Sequence, residues 1–139
     1  MKKILVSACL LGVTCRYDQK EKTDPRILRL MDDYILIPVC PEVLGGLPTP
    51  RLPCEIKNGK VINELGKDFT REFQKGAEET LKLARLYKVD LAILKAKSPS
   101  CGRGKIYDGS FSKRLIKGDG ITCPALLREN FKVISEEEL

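Results

Sequence analysis

The sequence contains no histidine, and that absence removes a whole range of chemistry. Ser-His and Cys-His nucleophile pairs, imidazole-ligated zinc and an imidazole base are all excluded. Acid-base chemistry is left to carboxylates, hydroxyls, lysine, tyrosine or a metal-bound water. No apolar run is long enough to span a bilayer, and the short stretch after Met1-Lys2-Lys3 is interrupted by Gly12 and Arg16 too soon for a signal peptide. The expected location is the cytoplasm, with no membrane partner. A dense basic block is missing too: the formal charge is +6, but the Lys and Arg residues are dispersed among acids. That distribution weighs against a nucleic-acid partner and leaves a mild bias toward anionic ligands. There is no internal repeat and no low-complexity linker, so 139 residues read as one domain over 1–139, with enough chain to bury a core without disulfides.

Six cysteines are present, and in a reducing compartment they are expected to be free thiols. None forms a CxxC knuckle, so a zinc ribbon is excluded. Their placement relative to the apolar runs is more informative. Residues 3–8 form an aliphatic run closed by Ser7-Ala8-Cys9. A second run, 34–39, is closed by Cys40-Pro41-Glu42. A third, 89–96, leads to Ser98-Pro99-Ser100-Cys101-Gly102. Short aliphatic runs of this kind suit strands buried on both faces.

Between the runs, Asp24 is an N-cap and Pro25 a first helical residue, opening a short helix that ends near Asp32-Asp33. Residues 41–53, dense in Pro and Gly, read as a long constrained loop. Lys57-Asn58-Gly59-Lys60 marks a hairpin turn. Helical periodicity over 67–87 (Phe69, Phe73, Ala77, Thr80, Leu81, Ala84) predicts a long amphipathic helix with its aromatics in the core. Residues 102–109 read as a glycine-rich loop, 124–130, after Gly118-Asp119-Gly120, as a last helix, and 132–134 as a final strand. Alternation of strands and helices predicts an α/β fold with a mainly parallel, Rossmann-like sheet flanked by helices. Cysteine-bearing loops would then lie at the carboxyl ends of the strands, where ligands bind in such sheets.

Cys9, Cys40 and Cys101 follow strands, whereas Cys15, Cys54 and Cys123 fall in loops or at a helix start. Three thiolates gathered from distant loops suit a cubane iron-sulfur cluster with one iron left open to substrate. Two other readings stand beside it: buried cysteines acting as small hydrophobes, and a metal- or cluster-sensing module that stores or reports iron or zinc. Cys54, after Pro53, is a candidate fourth ligand that would close such a cluster. Arg16, Tyr17, Arg51, Arg103 and Tyr107 lie in the loops expected on the site side, where a guanidinium can hold an anionic or carbonyl group.

The ordered set Ser7-Ala8-Cys9-Leu10-Leu11-Gly12, Arg16-Tyr17-Asp18, Cys40-Pro41-Glu42, Gly46-Leu47-Pro48-Thr49-Pro50-Arg51, Ser98-Pro99-Ser100-Cys101-Gly102, Tyr107-Asp108-Gly109 and Gly118-Asp119-Gly120 resembles the signature of the DUF523 family and covers almost the whole chain. The resemblance implies a [4Fe-4S] cluster held by Cys9, Cys40 and Cys101 and easily lost in air. It further implies removal of sulfur from a thiolated pyrimidine such as thiouracil without net redox change, a thiolated nucleoside or tRNA being the alternative substrate. Carried over residue by residue, the acid-base carboxylate falls on Glu42 and the catalytic hydroxyl on Ser98 or Ser100. Gln19 departs from the pattern, where many relatives carry glycine.

Overall fold

A computed structural model describes residues Met1–Leu139. Strand β1 (Lys3–Ser7) is followed by a 3-10 turn over Ala8–Leu11. Helix α1 (Pro25–Leu28) continues as a 3-10 turn to Asp32, and the Asp24 carboxylate caps it by accepting the Arg26 N–H at 3.0 Å. Strand β2 (Ile35–Val39) leads into α2 (Pro41–Leu44). A hairpin of β3 (Cys54–Lys57) and β4 (Lys60–Asn63) precedes the long helix α3 (Thr70–Tyr87) and strand β5 (Leu91–Leu94). The chain ends with β6 (Lys105–Tyr107), β7 (Leu115–Lys117), α4 (Thr122–Leu127) and β8 (Val133–Ser135).

Strands β2, β1, β5 and β8 form one wholly parallel sheet in that order, with Leu5 opposite both Ile37 and Ala92. Side-chain alternation divides the core into two layers. Leu5, Ala92 and Leu94 pack with Ala84 of α3 and Leu126 of α4, while Ile4, Val6 and Ile93 pack with Leu10 and Ile27. Both faces of β1 and β5 are therefore covered, which is why these two strands read as continuous apolar runs, whereas β2, at the sheet edge, leaves Ile35 and Pro38 exposed. A smaller cluster, Leu47, Cys54, Val61 and Phe73, fills the space between the hairpin and α3.

The α/β fold with its parallel sheet is as the sequence predicts, but five local expectations are corrected. The loop predicted over 41–53 begins as α2, because proline at the first helical position loses no hydrogen bond. Residues 67–69 are not helical: Phe69 N–H donates to the Val61 carbonyl at 2.7 Å, extending the hairpin's pairing, and Asp68 accepts the Thr70 N–H at 2.8 Å. The stretch 102–109, expected as loop, contains β6, a three-residue strand hidden among glycines that pairs with β7 in a hairpin. Cys54, expected in a loop, is the first residue of β3, and α4 starts two residues ahead of Pro124.

Glycine matters most where α2 crosses α3. A β-carbon on Gly76 would lie 2.0 Å from the Pro41 carbonyl oxygen, and one on Gly45 would lie 2.0 Å from that of Glu72. Only bare backbones can approach this closely, and the approach fixes Cys40, Pro41 and Glu42 at the sheet edge.

Candidate active site

From β1 the chain moves to β2 on one side, then returns to β5 on the other. The loops leaving the carboxyl ends of β1 and β5 therefore diverge, and a crevice opens between them as it does at the switch point of any doubly wound sheet. A cavity of about 510 Å³ occupies this position, lined by Cys9, Cys40, Cys101, Glu42, Ser98 and Ser100 among others. Cys9 packs with one core layer and Cys101 with the other, so the two thiols approach the edge from opposite faces of the sheet. Ser7 stitches the crevice together: its hydroxyl accepts the Lys95 N–H at 2.8 Å and donates to Cys101 Sγ at 3.2 Å.

Burial pushes the Cys9 thiol up to about 11, against the opposing pull of Lys95 and Arg16. Burial likewise drives Cys101 up to about 12, only partly offset by the neighbouring hydroxyls of Ser7 and Ser100. Cys40 goes the other way, down to about 7, because the Cys15 thiol hydrogen-bonds to it; the same contact pushes Cys15 up.

All six cysteines are free thiols. No three Cys, Asp or Glu side chains converge closely enough to hold a single metal ion, a donor arrangement that does not suit mononuclear zinc. A cubane presents separate irons to separate thiolates, so its ligands surround a body several ångströms wide. Three thiols spread around one cavity fit that requirement. Cys54 also reaches the cavity wall while packing under the hairpin, and Cys15 lies on the wall beside Cys40, whereas Cys123 is buried in the core behind.

Beside the thiols runs a connected polar chain. Glu42 Oε1 accepts from Arg51 Nε at 3.2 Å and Nη2 at 3.1 Å, while Oε2 accepts from Ser100 Oγ at 2.9 Å. Ser98 Oγ accepts the N–H groups of Ser100 and Cys101 at 3.1 and 3.0 Å and lies 2.9 Å from Ser100 Oγ. With both lone pairs of Ser98 Oγ taken, its proton must point at Ser100, which in turn donates to Glu42. The hydrogen bonds thus run in one direction, toward the carboxylate. Ser100 is buried and Ser98 half-buried, so of the two serines the more accessible is Ser98.

Arg16, Tyr17 and Tyr107 all line the cavity, Arg16 lying over the Tyr17 ring at 5.5 Å and pairing with Asp18 at 3.5 Å. Arg51 lines it too, but its donors are engaged within the protein: besides Glu42 they reach the carbonyls of Cys15 and Pro48 and the Thr49 hydroxyl, each at 3.0 Å. Arg103 is not brought to the cavity; it faces Asp119 at 3.4 Å. Sequence reasoning missed Lys95, whose ammonium pairs with Glu136 at 2.9 Å, and also Lys97 and Phe111 on the wall, and it left the place of Cys15 open. Lys95 and Lys97 directly follow the β5 apolar run, so their position at a strand's carboxyl end was a readable signal.

The chain matches the model of the 2-thiouracil desulfurase family over residues 4–138. It is 41% identical to the uncharacterized protein YbbK of Bacillus subtilis (strain 168), over 98% of this chain and 97% of that protein. The solved structure of the [4Fe-4S]-dependent thiouracil desulfidase TudS (DUF523Vcz) superposes with a TM-score of 0.94 at 43% identity, covering 100% of this chain and 93% of that one.

Proposed function

The chain belongs to the 2-thiouracil desulfurase family, and from that premise we propose that it is a [4Fe-4S]-dependent enzyme that removes sulfur from thiouracil or a related thiolated pyrimidine. The observation that carries the reading is the meeting of three free thiols and a directed Ser98–Ser100–Glu42 hydrogen-bond chain on one cavity. The reaction exchanges one bond for another: a water oxygen replaces the sulfur on the pyrimidine carbon, giving the oxo base and hydrogen sulfide with no change in oxidation state. Cys9, Cys40 and Cys101 would hold the cluster, and when bound it would supply a soft, electron-withdrawing iron for the substrate's sulfur.

The chain's own groups account for the rest. Glu42 takes the proton of the attacking water; Arg51 fixes one of its oxygens and Ser100 the other, so the carboxylate cannot rotate away from the cavity. Ser98 holds the cysteine loop through two backbone N–H groups and aligns Ser100. Arg16, Tyr17 and Tyr107 contact the bound base. A sensing module built on mononuclear zinc is disfavoured by the absence of any three side chains converging on a point. The free thiols suit a reducing, cytoplasmic setting.

The test is anaerobic reconstitution followed by iron, acid-labile sulfide and released-sulfide assays. Wild type is expected to bind about four irons and four sulfides per chain and to release sulfide from thiouracil. Serine variants of Cys9, Cys40 and Cys101 lose the iron. Glu42→Gln keeps the iron and loses sulfide release by roughly 10²-fold or more. Intact, cluster-loaded protein that released no sulfide from any thiouracil would refute the reading, and full thiolate zinc without turnover would return the protein to the sensing class.

A further inference from the structure

Of the four phenylalanines, Phe69 and Phe73 pack beneath the hairpin and Phe131 against the main core. Phe111 joins none of the three apolar clusters. It is half-buried on the wall of the thiol-lined cavity, in the turn between β6 and β7. Its φ is 59°, the left-handed region that residues with a β-carbon avoid.

Side chains from another element hold it there. Glu55 of β3, itself on the cavity wall, accepts the N–H groups of both Gly109 and Phe111 on one carboxylate oxygen, at 3.0 and 3.1 Å. Gly109 sits hard against the same strand: a β-carbon there would lie 2.6 Å from Lys57 Cβ and 2.8 Å from the Ile56 carbonyl oxygen. The turn is therefore clamped to β3 at a cost in backbone strain, and what the clamp delivers is an aromatic ring at the cavity that the core does not use.

We propose that Phe111 is a specificity-determining residue whose ring forms the face against which the planar pyrimidine lies, with Glu55 as the positioning residue that holds it. The ligand's identity rests on the desulfidase reading above. Phenylalanine has no hydrogen-bonding group, so it reads the flat aromatic shape of the base and is indifferent to where the sulfur stands. Stacking of a base on an aromatic side chain has this tolerance generally.

The experiment uses cluster-loaded wild type, Phe111→Leu, Phe111→Tyr and Glu55→Leu. Iron content is measured first, then the Kd for uracil by calorimetry, then kcat and KM for 2-thiouracil and 4-thiouracil. Uracil carries no sulfur, so its binding reports the platform independently of turnover. Phe111→Leu is expected to retain iron, weaken uracil roughly tenfold or more, and raise KM for both thiouracils alike while kcat stays within about twofold. Phe111→Tyr restores wild-type values, and Glu55→Leu follows Phe111→Leu.

If wild type desulfurates thiouracil and Phe111→Leu changes neither Kd nor KM, the platform is refuted while the desulfidase reading stands. If uracil binding depends on Phe111 but no sulfide is released, the reading fails and the platform stands. Loss of iron in the Leu and Tyr variants alike would make Phe111 structural and overturn the proposal.

Discussion

Arg51→Ala should act on the fold and on Glu42 rather than on substrate contact. The Arg51 side chain is only 7% exposed and that of Glu42 16%. Removing one partner of a buried pair leaves the other charge uncompensated, at about 3–5 kcal/mol. Partial exposure of Glu42 lets water relieve some of that, which pulls the figure toward the lower end. The three further acceptors abandoned, the carbonyls of Cys15 and Pro48 and the Thr49 hydroxyl, add about 0.5–1.5 kcal/mol each where water cannot replace the arginine. A net loss of roughly 4–7 kcal/mol follows, on the order of 12–20 °C in Tm for a domain of this size. Urea unfolding of the reduced, cluster-free chain measures it. Arg51→Lys should recover only part, since one ammonium cannot span the acceptors that the planar fork reaches. In the double-mutant cycle with Glu42→Ala, the coupling should exceed about 1 kcal/mol. In the loaded enzyme, kcat should fall more than KM rises, because the guanidinium's donors are spent on the protein. An Arg51→Ala variant within about 0.5 kcal/mol of wild type, or one whose only defect was a raised KM, would refute this reasoning.

Gly76→Ala adds a good helix former to α3 and gains about 1 kcal/mol of propensity, yet its β-carbon would strike the Pro41 carbonyl; a net loss of about 1–3 kcal/mol is expected, read by thermal melting, together with poorer iron retention as α2 carries Cys40 and Glu42 away. At Glu136, whose carboxylate accepts the Ala96 N–H at 2.7 Å and pairs with Lys95, Gln should keep the N–H acceptor and lose the ion pair, while Ala loses both, so denaturant midpoints should rank wild type, Gln, Ala. Alkaline stability should fall as well. Burial holds Cys54 and Cys123 up at about 12 against 9.0 for an ordinary thiol. Between about pH 9 and 12 the unfolded chain sheds protons that the native chain retains, so unfolding free energy drops by up to about 1.4 kcal/mol per pH unit per thiol. Cys123→Ala should flatten that slope in pH-dependent urea titrations; an unchanged slope would show that Cys123 is not the source.

Where information lay within a few neighbouring residues, the sequence alone determined the outcome. The aliphatic runs specify strands, and those of β1 and β5 are buried because each apolar residue packs on one layer or the other. Asp24-Pro25 specifies a helix start through one side-chain cap and one missing N–H. Asn58-Gly59 specifies a tight hairpin because both residues take positive φ, 50° and 77°. Cysteine turns after three such strands were enough to expect the thiols at one sheet edge. Tertiary structure alone decided everything that joins distant residues: the strand order that opens the crevice beside β1, and the Ser7–Cys101 contact across 94 positions. It also turned Arg51 inward onto Glu42 and left Arg103 on Asp119, although both arginines lie in loops expected on the site side. Phe111 at the cavity depends on Glu55, 56 positions earlier, reaching across from another hairpin. Such pairs are fixed by the path of the backbone through space, and no local periodicity or turn chemistry encodes that path.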